Sequence, residues 1–405
     1  MIHYIPLSVP VFALVAMLGG QAPSGEPVTA LPMDVGRTAP RDVWTPYVVL
    51  AFNDLGMHCM NLDCSELLVL PPFNTLHAQV IDRTHGSPEI VTSGITVQYT
   101  IPGNTRTADK TNFWSYANAI FGANLPPGIG LTGHGMSGTM SPTPGSNDWS
   151  VTGIPITQMD DSGRENPYCL ATITVKQGAT LMGTTQAVVP VSWEMSCNLC
   201  HATPGISTAT DILRAHDRLH QTQLEFQKPV LCAACHADAA LGAPGQPGVS
   251  SLSSAMHTAH APRMSGISLE SECYACHPGV RTQCFRDIHF SAGLTCNSCH
   301  VSMAAIGNPA RHPWVDEPSC GSCHQAQHPT WEFEEPGKLY RQSRGHRGIQ
   351  CAACHGSPHA ITATIMAVDN VQAITIQGHA GRIDTCTVCH QEVPGDPFPH
   401  RLTDD

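Results

Sequence analysis

The sequence predicts a molecule in two parts. Residues 46–195 are expected to form an all-β, sandwich-like domain, and residues 196–405 a domain of short helices and loops with little regular secondary structure. Three observations predict this division. Apolar residues alternate with period two only in the front half. A five-letter cysteine and histidine motif recurs only in the back half. Gly and Pro are abundant, at 35 and 33 residues, while 6% of residues are aromatic and 13% charged, so the chain has limited means of building an ordinary core, most of all after residue 195.

The front half reads as several short strands. "GITVQYTI" sets Ile95, Val97, Tyr99 and Ile101 against Thr96, Gln98 and Thr100, and "CLATITVK" sets Cys169, Ala171, Ile173 and Val175 against Leu170, Thr172, Thr174 and Lys176. "AVVPVSW" does the same with Val189, Val191 and Trp193, and "YVVLAF" and "LHAQVID" read as further strands. Short strands separated by turn residues suggest an antiparallel sandwich. "NFWSYANAIFG" reads as a short helix within it. Ahead of this domain, Ile5 to Leu18 is an apolar run followed by Gly19, Gly20 and Ala22. It is too short for a comfortable membrane span, and residues 1–22 are expected to be a signal peptide, although Lys and Arg are missing from its start. Residues 23–45, rich in Pro, Gly and Thr, read as a linker.

The back half spells Cys-x-x-Cys-His seven times: Cys197/Cys200/His201, Cys232/Cys235/His236, Cys273/Cys276/His277, Cys296/Cys299/His300, Cys320/Cys323/His324, Cys351/Cys354/His355 and Cys386/Cys389/His390. This is the attachment pattern of haem c. Two thiols add across the porphyrin vinyl groups, and the adjacent histidine becomes the proximal iron ligand. A closed zinc site needs two such cysteine pairs, or one pair with histidines at longer spacing. Seven pairs do not divide by two, and a histidine directly after every second cysteine has no zinc rationale. A thioredoxin-like pair does not come in sevens. Seven covalently attached haem c groups are therefore expected, all after residue 195. At one motif per about 28 residues the haems must lie close together, with the short helices and loops packed around them, and each flat apolar ring supplies core that the chain lacks. "DILRAHDRLHQTQL" and "SSLSSAMHTAHA" are the clearest helices there.

A second axial ligand is wanted on each iron. Sixteen histidines stand outside the motifs, eleven of them after Cys200, so bis-histidine irons are favoured over methionine ligation. His289 and His379 stand seven residues before a motif, His346 five before Cys351 and His359 four after His355. His216 and His220 share one face of a helix, as do His257 and His260. The chosen set is His220, His257, His260, His289, His346, His359 and His379, with His216, His328 and His400 in reserve. His312, before Pro313, reads as structural.

The net charge of −12, deepened by haem propionates, excludes a nucleic-acid partner, since no basic stripe exists. Arg outnumbers Lys 16 to 4. Its planar fork suits propionates, and Arg214, Arg218, Arg281, Arg286, Arg341, Arg344 and Arg347 are the candidates. Four cysteines remain, Cys59, Cys64, Cys169 and Cys284, which in an exported protein suggests two disulfides of undetermined pairing. Met57, His58, Cys59 and Met60 are soft donors of a kind copper accepts, with a buried histidine and disulfide cysteine as the plainer reading.

The seven motifs, with "CHGSPH" and "GHAGRIDTCTVCH", resemble the multihaem c-type cytochromes of metal-respiring and other anaerobic bacteria, and "NDLGMHCM" followed by "LPPFNTLHAQV" resembles an N-terminal β domain associated with such exported cytochromes. The resemblance implies periplasmic or extracellular electron transfer to redox partner proteins or extracellular acceptors, and some relatives polymerise into haem-lined filaments. The leading expectation is an electron conduit with no substrate of its own. A filament would follow if exposed terminal haem edges joined copies head to tail, with His58 or His77 lent as a ligand to a neighbour. The alternative is a multihaem oxidoreductase acting on a small nitrogen or sulfur compound at one open-coordinate haem; a motif ending in Lys would signal it, and all seven end in His. No segment of the mature chain is expected to span a membrane.

Overall fold

A computed structural model describes residues 45–395 and His400. The expected signal peptide over 1–22, and the linker except Thr45, lie outside the described residues. The front half contains β1 (Tyr47–Asn53), β2 (His58–Cys59), β3 (Leu67–Leu68), β4 (Thr75–Asp82), β5 (Glu89–Ile90), β6 (Thr96–Thr100), β7 (Ser137–Pro142), β8 (Trp149–Thr152), β9 (Tyr168–Gln177) and β10 (Thr180–Ser192), with helix α1 (Phe113–Phe121) between β6 and β7. Every segment predicted as a strand is a strand, and the predicted helix is α1, closed by Gly122 in the left-handed region at φ 65°.

The sandwich expectation changes in one respect. The strands form a single mixed sheet in the order β1-β4-β8-β7-β6-β9-β10-β2, with β5 on β4. Its pairs are antiparallel except the last, where Val191 and Ser192 of β10 run parallel to His58 and Cys59. The sheet curls on itself, so β1 lies over β10. A Cβ on Gly183 would stand 2.8 Å from the Tyr47 carbonyl oxygen, and only glycine permits that approach. The inner face holds Val49, Leu76, Val97, Tyr99, Met140, Val151, Ile173, Val175 and Val189, all essentially buried. A curled sheet fills its own interior with one set of alternating residues and needs no second layer.

Strand β1 is buried on both faces, which accounts for its unbroken apolar run. Val49 and Ala51 point inward, while Val48, Leu50 and Phe52 form an outer cluster with Ile81 and with Ala352, Ala353 and Val388, residues inside the sixth and seventh motifs. Polar contacts extend the seam. Gln79 donates to the Gly348 carbonyl and accepts from the Gln350 N–H, Arg83 donates to the Val388 carbonyl, and Gln372 accepts from the Ala51 N–H. Further along, Glu194 accepts from the backbone N–H groups of Val280, Arg281 and Thr282.

After residue 195 the chain is mostly loop and single turns. Its longest helices are α2 (Thr208–His220), capped by Ser207, and α3 (Leu252–His260), capped by Ser251. Both were legible in the sequence. Among the described residues no helix is long and apolar enough to cross a membrane.

Candidate functional site

Each of the seven motifs folds as a single helical turn. In the first, second, third, fifth and seventh, the motif histidine N–H donates to the carbonyl of the first cysteine, for example His201 to Cys197 at 2.9 Å and His390 to Cys386 at 2.9 Å. The fourth and sixth are one-turn helices, Cys296–His300 and Cys351–His355. One turn brings positions i, i+3 and i+4 to the same side, so two thiols and an imidazole are presented together.

Every motif histidine faces a second histidine from elsewhere in the chain. The ring centres are 6.4 Å apart for His201–His260, 6.3 Å for His236–His216, 6.2 Å for His277–His257, 6.1 Å for His300–His359, 6.3 Å for His324–His289, 5.8 Å for His355–His400 and 5.9 Å for His390–His346. An imidazole nitrogen lies ~1.1 Å from its ring centre and binds a first-row metal at ~2.0 Å, so two imidazoles on opposite sides of one ion put their centres ~6.2 Å apart. The observed spacings, from 5.8 to 6.4 Å, bracket that value. Among the described residues no three His, Cys, Asp or Glu side chains converge as a closed metal site. Paired imidazoles suit a haem iron, whose other four ligands are the porphyrin's own.

Outer partners turn the rings the right way. Nδ1 of His257 and His260 lies 2.7 Å from the carbonyls of Ser253 and Met256, one turn back on α3, and Nδ1 of His236 lies 2.9 Å from the Ser250 carbonyl. His216 meets the Thr222 hydroxyl at 2.9 Å and His289 the Asp287 carboxylate at 3.2 Å, again through Nδ1. A ring that uses Nδ1 in this way offers Nε2 as the ligand. Burial, with neighbouring imidazoles adding to it, lowers His277, His300 and His355 to about 4. They are neutral at physiological pH and keep the lone pair that a metal needs.

Five of the seven expected second ligands, His257, His260, His289, His346 and His359, stand in these pairs. His220 and His379 do not. His220 lies one turn beyond His216 on α2, at the exposed end of the helix, and it is His216 that faces His236. His379 has Nδ1 on the Ala380 carbonyl and Nε2 beside Thr385 and Asp384. The place expected for it is taken by His400 and His346, which face the sixth and seventh motifs. No local signal marks His400, because its partner His355 is 45 residues away in sequence. His328 stacks on Trp331 and His312 meets Asp316.

The motifs also adjoin one another in sequence of contact. Burial raises the Cys232 thiol, and Asp238 and then Cys197 of the first motif add to it. Burial also raises Cys276, with Cys197 and Cys200 adding. Helix α3 joins the same two motifs, since its His260 faces His201 and its His257 faces His277. Cys296 lowers the Cys273 thiol and Cys273 in turn raises Cys296. Burial and then Cys323 raise Cys299; burial, Glu334, Glu332 and Cys351 raise Cys320; burial and then Cys389 raise Cys354. Cysteines of motifs two and one, one and three, three and four, four and five, five and six, and six and seven thus lie within electrostatic reach of one another.

Cys235 of the second motif has a protein partner: its Sγ accepts from the Gln246 side-chain amide at 3.3 Å. The reason is local. The Gln246 N–H donates to the Cys235 carbonyl at 2.8 Å, which sets the Gln246 side chain beside the motif, where its amide also donates to the Ala234 carbonyl at 3.2 Å. A thioether sulfur is likewise a weak acceptor, so Cys235 could keep this partner if bonded to haem. Cys59, Cys64, Cys169 and Cys284 are all free thiols. Cys64 packs with Phe113 and Ala117, whereas Cys169 lies in the sheet core, so no bond joins these two. His58 Nε2 lies 2.9 Å from the Asp54 carboxylate and His77 Nδ1 2.6 Å from that of Asp148, so each ring has one nitrogen held by a protein carboxylate. Five of the seven arginines considered for propionates pair with protein carboxylates: Arg214 with Glu225, Arg281 with Glu165, Arg286 with Asp369, Arg341 with Glu317 and Arg344 with Glu335. No known family model matches the chain, and no curated protein or solved structure matches it significantly.

Proposed function

We propose that the protein is an exported heptahaem c-type cytochrome that conducts electrons along one line of bis-histidine haems. The observation that carries this reading is that each of seven motif histidines faces a second histidine at the spacing of an axial pair. The motif cysteines would hold the porphyrin edges, and the two imidazoles would fix each ring's plane. Haem c, when bound, supplies reversible one-electron transfer, with potentials set by axial ligands, burial and hydrogen bonding. The protein's task is to keep both axial ligands in place in both oxidation states, so that little reorganises when an electron passes. The contacts between motifs support one unbranched path running from the second motif, through the first, to the seventh.

A second imidazole stands by every motif, which favours conduction over catalysis on a small nitrogen or sulfur compound. All fourteen histidines belong to this chain, so self-association into a filament would need no lent ligand. Exposed Leu219 and Phe226, near the second motif in sequence, and exposed Val393, after the seventh, are apolar contacts at the two ends of the path for a redox partner or another copy.

Intact-mass measurement on the denatured, matured protein tests the cofactor load, with seven covalent haem additions expected. Electron paramagnetic resonance of the oxidised protein should show low-spin ferric signals alone. A high-spin signal together with turnover of nitrite, hydroxylamine or tetrathionate would reject the conduit in favour of the oxidoreductase.

A further inference from the structure

The motif "NDLGMHC" belongs to the sheet half, yet its first four residues touch the back half closely. The Asn53 side chain holds the loop, accepting from the Leu55 N–H at 3.0 Å and the Gly56 N–H at 2.9 Å, while its amide donates to Asn74 and to the Thr75 carbonyl. The loop then meets "GSPHA". The Ser357 hydroxyl donates to the Asn53 carbonyl at 2.6 Å. Gly56 has φ +77°, and a Cβ there would stand 1.8 Å from the Pro358 carbonyl oxygen. The Gly56 carbonyl accepts from Arg286 Nη1 at 2.7 Å, and the Arg286 N–H donates to the His359 carbonyl at 3.0 Å. Arg286 is fully buried and fixed by Asp369 through both carboxylate oxygens. His359 itself sits at φ +61°, a left-handed conformation that a non-glycine residue keeps only when its surroundings impose it. The Phe285 ring meets His359 edge-on.

We infer that the Asn53–Gly56 loop of the sheet is a positioning clamp for His359, the second axial ligand at the fourth motif, and thereby tunes the central haem of the path. The inference rests on the proposed function. Asn53, Gly56 and Arg286 touch no reacting group; they act through His359. A sheet loop that holds the backbone at Ser357 and Pro358, and through Arg286 reaches the His359 carbonyl, would determine the tilt of the imidazole and the strength of its bond to the metal, the outer-partner effect known to tune metal ligands. The sheet half thereby has a functional part in electron transfer without carrying a haem motif.

The test compares full-length, haem-loaded Gly56→Ala and Ser357→Ala with His359→Ala, by intact mass, electron paramagnetic resonance and spectroelectrochemical titration. Gly122→Ala, another left-handed glycine of the sheet half with open space around its Cβ position, is the control. Gly56→Ala and Ser357→Ala are expected to retain seven haems by mass and to shift the low-spin signal and potential of one haem, the same one that His359→Ala turns high-spin. Gly122→Ala should leave all seven signals in place. If Gly56→Ala fails to mature, Ser357→Ala carries the test, since it removes one hydroxyl without a clash. Unaltered signals and potentials in Ser357→Ala and Gly56→Ala, or a shift at a different haem from that of His359→Ala, overturn the clamp and leave the conduit standing. A wild-type protein without covalent haem overturns both.

Discussion

The two halves of this chain solve the same problem with different materials. The sheet half buries a continuous apolar interior made only of its own side chains, from Val49 and Leu76 to Ile173 and Val189. Among the described residues the motif half has no comparable interior. Its one cluster apart from the sheet, among those residues, consists of Met264, Ala275 and Met303 with a few half-buried neighbours, and the small residues Ala352 and Ala353 are buried in a cluster shared with β1. A region of about 210 residues with so little apolar side-chain packing is marginal by itself. The contrast fits the proposed function, in which cofactors would complete the motif half, with the sheet as the wall against which its last two motifs are set.

The sharpest way to break this comparison is to withhold haem. Full-length protein made without haem attachment should be cleaved throughout residues 196–405 in limited proteolysis, while residues 46–195 resist and keep β-type circular dichroism. Equal resistance of both halves would mean that the back half has a core of its own. Next in size are truncations on the two faces of β1 and β4. Leu76→Ala, inside the curl, and Leu50→Ala, on the seam with the sixth motif, should each cost about 2–5 kcal/mol in chemical denaturation. A sheet fragment of residues 46–195 should feel the Leu76 change and be indifferent to the Leu50 change, because the fragment leaves that outer face uncovered.

Smaller in energy and local in effect are the ligand exchanges. His216→Ala and His400→Ala should each turn one low-spin haem high-spin in electron paramagnetic resonance, with stability changed little. His220→Ala and His379→Ala, close by in sequence, should leave all seven low-spin. The reverse result would restore the ranking that local spacing suggests.

The smallest expected effect concerns acid. Burial works against the Asp161 charge, but the Lys110 ammonium at 2.8 Å and the Thr105 N–H and hydroxyl outweigh it and hold the carboxyl below its usual range. A carboxyl depressed in the folded state stabilises fully above its unfolded pKa of about 3.9 and loses that contribution as pH falls. Thermal melts of the sheet fragment should therefore drop below about pH 4, and Asp161→Asn should flatten that part of the profile.

Much of the architecture was legible because it is local. The Ile95, Val97, Tyr99, Ile101 alternation is a strand by the geometry of the pleat alone, and "DILRAHDRLHQTQL" and "SSLSSAMHTAHA" are the segments that contain most of α2 and α3. Curling was not legible, since one sheet wrapped on itself and two sheets face to face use the same alternation. The partners of the arginines were not legible for a related reason. A guanidinium suits a propionate and a protein carboxylate equally, and only the fold shows Glu225 beside Arg214 or Asp369 beside Arg286.

By itself the sequence determined the seven places where the proposed haems would attach. Spacings of three and four residues fall within one helical turn, so two cysteines and a histidine meet whatever the rest of the chain does. Only the tertiary structure decided which imidazole completes each pair, how the motifs follow one another, and that a loop of the sheet holds His359. Those are meetings of distant segments: His400 with His355, His289 with His324, Gly56 with Pro358. Local spacing leaves His216 and His220 equivalent on one helix face, and the choice between them falls to whichever ring the packing of α2 brings opposite His236.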